Sequence, residues 1–175
     1  MLFRSEKVIS ADEQVDALQK ALDARALDLL ARQQPVAGDL RTIITSLRMS
    51  SDLERMGALA SHIAKVARLR YPEAAVPADL HATISEMGRI GVDLAGKAGE
   101  IIDGRDVDTA RGLEGEDDAM DRLHRALFSA LLSKDAQYST ETAIDVTLIG
   151  RYYERFADHA VSVARRLVFL VTGED

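Results

Sequence analysis

The chain has 175 residues, 47% of them hydrophobic and 29% charged, which suffices for one or two small domains with a buried core. Unless basic residues cluster strongly, its formal net charge of -7 argues against nucleic acid as a partner, because counterion release needs a positive surface. The absence of cysteine excludes disulfides, thiolate metal sites and thiol nucleophiles, and is typical of a reducing compartment.

Helix-breaking residues divide the chain into long segments. The breakers lie at 33–39, 71–79, 103–106 and 134–140, and the segments between them are rich in Ala, Leu, Arg and Glu. Apolar residues recur in steps of three and four, and no segment alternates with period two. We therefore predict an all-α fold of antiparallel helical bundles. The predicted buried stripes are Met49, Leu53, Met56, Ala60, Ile63 and Ala67; Leu80, Ile84, Met87, Gly91, Leu94, Ala98 and Ile101; and Ile149, Tyr153, Phe156, Ala160, Val163, Leu167 and Leu170.

No apolar run approaches the roughly 20 residues that cross a bilayer, and the first ten residues have no signal-peptide pattern. We therefore expect a cytoplasmic protein that is not inserted in a membrane.

The sequence contains an internal repeat. The segment 53–56 (LERM) matches 153–156 (YERF) at an offset of 100, and the stripe that begins at Met49 recurs from Ile149. The preceding segments match at an offset of 105, which sets Asp12 on Asp117. Shared acidic residues and a shared Glu-Arg pair favour two related helical hairpins over chance similarity.

Hairpin geometry predicts a carboxylate cluster in the second repeat. Residues four apart share a helix face, and facing residues of an antiparallel hairpin have numbers with a constant sum. That sum is 275 for Asp121 with Glu154 and for Asp117 with Asp158, which places the turn at the breaker 134–140. The four acids are therefore expected to lie level across one groove.

The first repeat predicts a weaker cluster. The residue numbers add to 70 for Asp16 with Glu54 and for Asp12 with Ala58, which places the turn at Pro35. Because alanine replaces one acid, we expect lower metal affinity or an empty site.

Facing carboxylates repel unless a proton or cation intervenes, so they suit a hard divalent or trivalent metal such as iron, zinc, manganese or magnesium. The alternative is that these acids are ordinary solvated charges. His159 is expected to flank the second cluster without ligating metal, and Arg55 and Arg155 to form salt bridges or bind an anion such as phosphate. The sequence contains no nucleotide-binding, zinc-protease or nucleophile-elbow motif, which argues against an enzyme.

The sequence resembles the PhoU family, accessory regulators of phosphate transport, and within it the actinobacterial type. The resemblance rests on 39–60 (DLRTIITSLRMSSDLERMGALA), 116–125 (EDDAMDRLHR) and 145–174 (DVTLIGRYYERFADHAVSVARRLVFLVTGE). It implies two three-helix bundles with paired acidic motifs that bind metal, here Asp117, Asp121, Glu154 and Asp158, and more weakly Asp12, Asp16 and Glu54.

The resemblance also implies a non-enzymatic, cytoplasmic negative regulator. Such a protein acts with the ATPase of the phosphate ABC transporter and a sensor histidine kinase when phosphate is plentiful, peripheral to these membrane complexes.

One departure from the family pattern concerns the first half. The chain is expected to begin near the end of the first helix, so the repeats would span 1–71, incomplete, and 77–175. An exposed apolar stripe in the first half then predicts a homodimer. Two other functions stay open: a carboxylate-cluster metalloenzyme and a purely structural helical dimer.

Overall fold

The structure, a computed structural model, describes residues 2–135 and 137–174. Within these residues there are α-helices and one short 3₁₀ helix (78–80) but no strand, which confirms the all-α prediction. The five long helices are α1 Leu2–Gln33, α2 Ala37–Leu69, α3 His81–Gly104, α4 Val107–Leu131 and α5 Thr140–Thr172. Each connection falls at a predicted breaker; in the last one, Ala136 lies outside the described residues.

Side-chain caps explain where the last two helices begin. The Asp106 carboxylate accepts hydrogen bonds from the backbone N–H groups of Asp108 and Thr109 at 3.0 and 3.1 Å, which starts α4. The Ser139 hydroxyl accepts from the N–H of Thr142 at 3.0 Å, which starts α5. Helix α5 ends at Gly173, whose φ of 80° lies in the left-handed region that glycine adopts readily.

The helices form two hairpins that pack against each other through α2 and α5. Helices α1 and α2 fold back at Pro35, and α4 and α5 fold back through 132–139, both as the pairing sums predict. Helix α2 runs antiparallel to α5, since Asp52 contacts His159 while Arg70 contacts Asp145. Helix α3 covers one face of the α4–α5 hairpin.

The core is concentrated in the second half. Met87, Leu94, Met120 and Val163 are among its fully buried side chains. The first half is less covered: on α1, Val8 is 40% and Leu18 71% exposed. The expectation of exposed apolar residues in the first half is therefore met. The proposed domain limits stay a prediction, and their outermost positions, Met1 and Asp175, lie outside the described residues.

The structure corrects two expectations. The residues before Asp12 are not the end of an earlier helix, because α1 is continuous from Leu2. The stripe of α2 that faces α5 includes Asp52, only 7% exposed, whereas Leu53 is 36% exposed. Hydrophobic periodicity selects the leucine, but ionic partners on α5 bury the aspartate.

Candidate metal centre

Four carboxylates of the second repeat lie close together between α4 and α5. Asp117 and Asp121 are one helical turn apart on α4, and Glu154 and Asp158 are one turn apart on α5. The charges of the other three all act on Asp117, so the hairpin brings them into its neighbourhood. The pairing sum of 275 predicts this arrangement.

Asp117 experiences the strongest effect of this crowding. Its pKa rises from 3.8 to about 6, mainly because partial burial penalises the charged form. Four neighbouring charges raise the pKa further: Asp158, Asp121, Glu154 and Asp118. Its Oδ1 atom is buried and accepts no hydrogen bond from the described residues. A cation at this oxygen would offset both the repulsion and the lost hydration.

Arginines of α5 partly neutralise the cluster. Arg151 Nη1 lies 2.6 and 2.5 Å from the two carboxylate oxygens of Glu154, and Arg155 Nη1 lies 3.9 Å from Asp158 Oδ2. Among the described residues, no three His, Asp or Glu side chains converge into a metal-ligand group. Metal binding therefore requires the carboxylates of α5 to turn from the arginines towards Asp117.

The donors nevertheless fit a hard cation in type and place. They are carboxylate oxygens, they crowd one another, and one of them is buried without a partner. When bound, a hard cation would supply positive charge that holds the carboxylates of α4 and α5 together.

The first-repeat acids lie on the equivalent hairpin, formed by α1 and α2. A Cβ on Gly57 of α2 would lie 3.1 Å from Asp12 Oδ1, so that carboxylate packs directly on α2. Asp16 Oδ2 is 2.7 Å from Lys20 Nζ, and Glu54 lies 3.7 Å from Arg55. Ala58 provides no oxygen. Whether either cluster holds metal stays a prediction.

Sequence reasoning missed an ionic cluster that joins the two repeats. Asp52 accepts hydrogen bonds from Arg166 Nε at 2.6 Å and contacts His159 Nδ1 at 3.0 Å. At the other end of the interface, Arg70 pairs with the buried Asp145 and with Glu141. The spacing Met49, Asp52, Met56 was the available signal, because it places a charged residue on a buried stripe.

Several other residues named in the sequence analysis have partners in the structure. His159 contacts Asp52 of α2 at the interface between the repeats, and its role beside the second cluster stays a prediction. Arg55 and Arg155 form ion pairs with their neighbouring acids. Tyr153 and Phe156 pack against Gly88 and Gly91 of α3, as core aromatics do.

Comparison with known proteins decides the family. The family model described as "PhoU domain" matches residues 4–67 and again 84–167. The chain belongs to the PhoU family. The double match agrees with the internal repeat, and the two matched segments correspond to the two helical hairpins, the second with α3 added.

Curated PhoU relatives match over nearly the full chain. The chain is 47% identical over 172 residues to "Phosphate-specific transport system accessory protein PhoU homolog 2" of Mycobacterium tuberculosis, covering 98% of this chain and 81% of that protein. It is 45% identical over 172 residues to "PhoU homolog 1" of Mycobacterium leprae, covering 98% and 78%.

Two solved PhoU structures share the fold. The regulatory protein PhoU of Streptococcus pneumoniae superposes with a TM-score of 0.84 at 28% identity, covering 99% of this chain and 81% of that one. PhoU of Pseudomonas aeruginosa gives 0.83 at 26% identity, covering 97% and 82%. None of the helices in the described residues has the length and apolarity needed to cross a membrane.

Proposed function

We propose that this PhoU protein is a non-enzymatic, cytoplasmic regulator of phosphate uptake and phosphate-starvation signalling. It acts as a metal-binding adaptor between the ATPase of the phosphate ABC transporter and a sensor histidine kinase, and represses the starvation response when phosphate is plentiful. Relatives at 47% and 45% identity are named accessory proteins of phosphate-specific transport, which supports the coarser role in regulating phosphate transport.

The acidic cluster of the second repeat is the observation that carries the metal-binding part. Asp117, Asp121, Glu154 and Asp158 concentrate negative charge where one oxygen is buried without a partner. Bound metal would neutralise much of the local negative charge and compete with the arginines for the carboxylates. Partner binding would then depend on metal occupancy, because the exposed charge pattern changes.

Pull-down of the purified transporter ATPase and sensor kinase by the metal-loaded chain tests this function. We expect both partners to bind, and binding to weaken after chelation or in the Asp117→Asn, Glu154→Gln double variant. The Glu100→Gln variant, at an exposed position of α3, controls for the loss of a single negative charge. Equal partner binding by the loaded, chelated and double-variant proteins would contradict a metal-dependent adaptor.

The exposed apolar face of the first half supports a homodimer. A groove of about 500 Å³ lies between α1 and α3, with α2 and α5 beneath, and Val8, Ile63, Ala67 and Val92 line it. A second copy that seated its own α1 here would cover Val8. Analytical ultracentrifugation should show a dimer that dissociates more readily in the Val8→Asp variant, whereas a monomer at all concentrations would contradict the proposal.

A further inference from the structure

A separate cavity lies between α2, α4 and α5, at the end of α5 beyond the second acidic cluster. Its volume is about 400 Å³, within the range of small-ligand sites. Thr45 of α2, only 2% exposed, lies at its base. The charged residues that line it are Arg48, Arg111, Arg165, Arg166 and Glu174.

The charge of this cavity is opposite to that of the whole protein. Four arginines and one glutamate line it, in a chain whose formal net charge is -7. A cavity lined mainly by cationic side chains has a positive potential that attracts anions. We propose that this arginine-lined cavity binds a small phosphorylated anion, such as an oligophosphate or a nucleotide.

Guanidinium chemistry favours a phosphoryl group as the ligand. Arginine presents a planar set of N–H donors that binds phosphate oxygens in bidentate fashion, and it remains charged at every physiological pH. The cavity also has an apolar wall, formed by Ala110, Val168 and Phe169. A flat ring attached to the phosphate can pack on this wall, so the cavity accommodates both parts of a nucleotide.

Neighbouring contacts hold two of the cationic groups in place. Arg166 Nε donates to Asp52 at 2.6 Å, which orients its guanidinium from the interface side. Arg41 Cζ lies 6.0 Å from the centre of the Phe169 ring, behind the apolar wall. The Nε of Arg41 is buried and has no hydrogen-bond partner among the described residues. Arg41 therefore adds positive charge near the cavity, and its Nε group makes no hydrogen bond to the described residues.

The cavity is spatially distinct from the second acidic cluster. Arg165 lies seven residues beyond Asp158 on α5, about 10 Å along the helix axis. Anion binding should therefore persist in metal-stripped protein. A negative result would then contradict the anion site without bearing on the proposed metal-dependent adaptor function.

Isothermal titration calorimetry of the metal-stripped full chain with tripolyphosphate and with ATP tests the proposal. We expect one anion per chain, bound more weakly at higher salt. Arg48→Gln and Arg111→Gln should each weaken binding about 10-fold or more, because each removes a charge-assisted contact at an exposed position. Arg25→Gln, an equal charge change on α1, should leave binding unchanged.

Glu174→Gln provides a test that misfolding cannot mimic. Removing the carboxylate that lines the cavity should tighten anion binding several-fold, opposite in sign to the arginine variants. ATP at least 10-fold tighter than tripolyphosphate would place its ring on the apolar wall; equal affinity would identify the phosphoryl groups alone as the ligand. Absence of binding by both anions, or equal weakening by Arg25→Gln and Arg48→Gln, would overturn the proposal.

Discussion

The two acidic clusters occupy equivalent hairpins but differ in how strongly their charges conflict. In the second repeat, partial burial and the neighbouring carboxylates raise the pKa of Asp117 to about 6, and its Oδ1 is buried without a hydrogen-bond partner among the described residues. In the first repeat, Ala58 replaces one acid and Lys20 neutralises Asp16. The fold provides equivalent positions in both hairpins. The number of acidic residues at those positions determines how strongly a bound cation would stabilise the site.

Removing ligands from the second cluster is expected to have the largest effect. The Glu154→Gln, Asp158→Asn double variant should lose metal affinity roughly 100-fold or more, since losing even supporting residues of a metal site costs 10–100-fold. The Asp16→Asn, Glu54→Gln double variant should change total affinity far less, because the first cluster is weaker. Metal content by mass spectrometry and titration of the stripped protein measure both.

The Glu100→Gln variant is the control for loss of one negative charge. A first-repeat variant that lost as much metal as the second-repeat variant would show that the two clusters are equivalent. The second cluster would then not be the stronger metal site.

Restoring the missing acid should strengthen the first cluster. Ala58→Asp places a fourth carboxylate where the second repeat has Asp158, so we expect metal affinity of the first repeat to rise about 10-fold, or one additional metal ion per chain. Without metal, the same variant should be less stable than the wild type, because the new charge repels Asp12 and Glu54. An unchanged metal content with unchanged stability would place residue 58 outside the cluster.

The raised pKa of Asp117 predicts a pH-dependent stability of the metal-free protein. Because its folded-state pKa of about 6 exceeds the ordinary 3.8, the folded state binds an extra proton between these values, and stability falls as pH rises through this window. Asp117→Asn should remove that loss and raise Tm at pH 7 by roughly 2–4 °C, equivalent to about 1 kcal/mol.

Thermal melts of both proteins at pH 4 and pH 7, in chelator, measure this effect. The two melting temperatures should differ much less at pH 4 than at pH 7. At pH 4 Asp117 is almost fully protonated in the folded state and already partly protonated in the unfolded state. A constant difference at the two pH values would assign the effect to packing.

The sequence predicts most of the fold and the proximity of the four acids in the second cluster. Breakers around Pro35 and at 134–140 fix the hairpin turns, and constant pairing sums then follow from helix geometry. That reasoning places Asp117 near Asp158 without any coordinates. It works because helices are regular and the connections are short.

The α2–α5 interface was beyond this reasoning, for a physical reason. Asp52 is buried because His159 and Arg166, more than a hundred residues away, satisfy its carboxylate. A hydrophobicity pattern treats any aspartate as exposed and selects Leu53 instead. The arginine cavity was missed similarly, because Arg48 and Arg111 come from different hairpins and meet only after the repeats pack.

The smallest expected effect concerns position 57, where the repeats also differ. The second repeat has Ala157, fully buried, at the position equivalent to Gly57. Gly57→Ala should gain about 1 kcal/mol of helix propensity but places its Cβ 3.1 Å from Asp12 Oδ1. Because that oxygen ends a flexible side chain, we expect the free energy of unfolding to rise by less than about 1 kcal/mol.

Gly96→Ala on α3 is the matched control, since nothing lies within 4 Å of its added Cβ and it should receive the full propensity gain. Chemical denaturation measures the free energy of unfolding of both variants. The difference between their gains in stability is the cost of the contact between the added Cβ and Asp12. If Gly57→Ala instead destabilised the protein by more than about 1 kcal/mol, Asp12 would be held rigidly against α2. Packing against α2 would then prevent the Asp12 carboxylate from moving towards a metal ion. In that case the Ala58→Asp variant would not acquire the metal affinity of the second cluster.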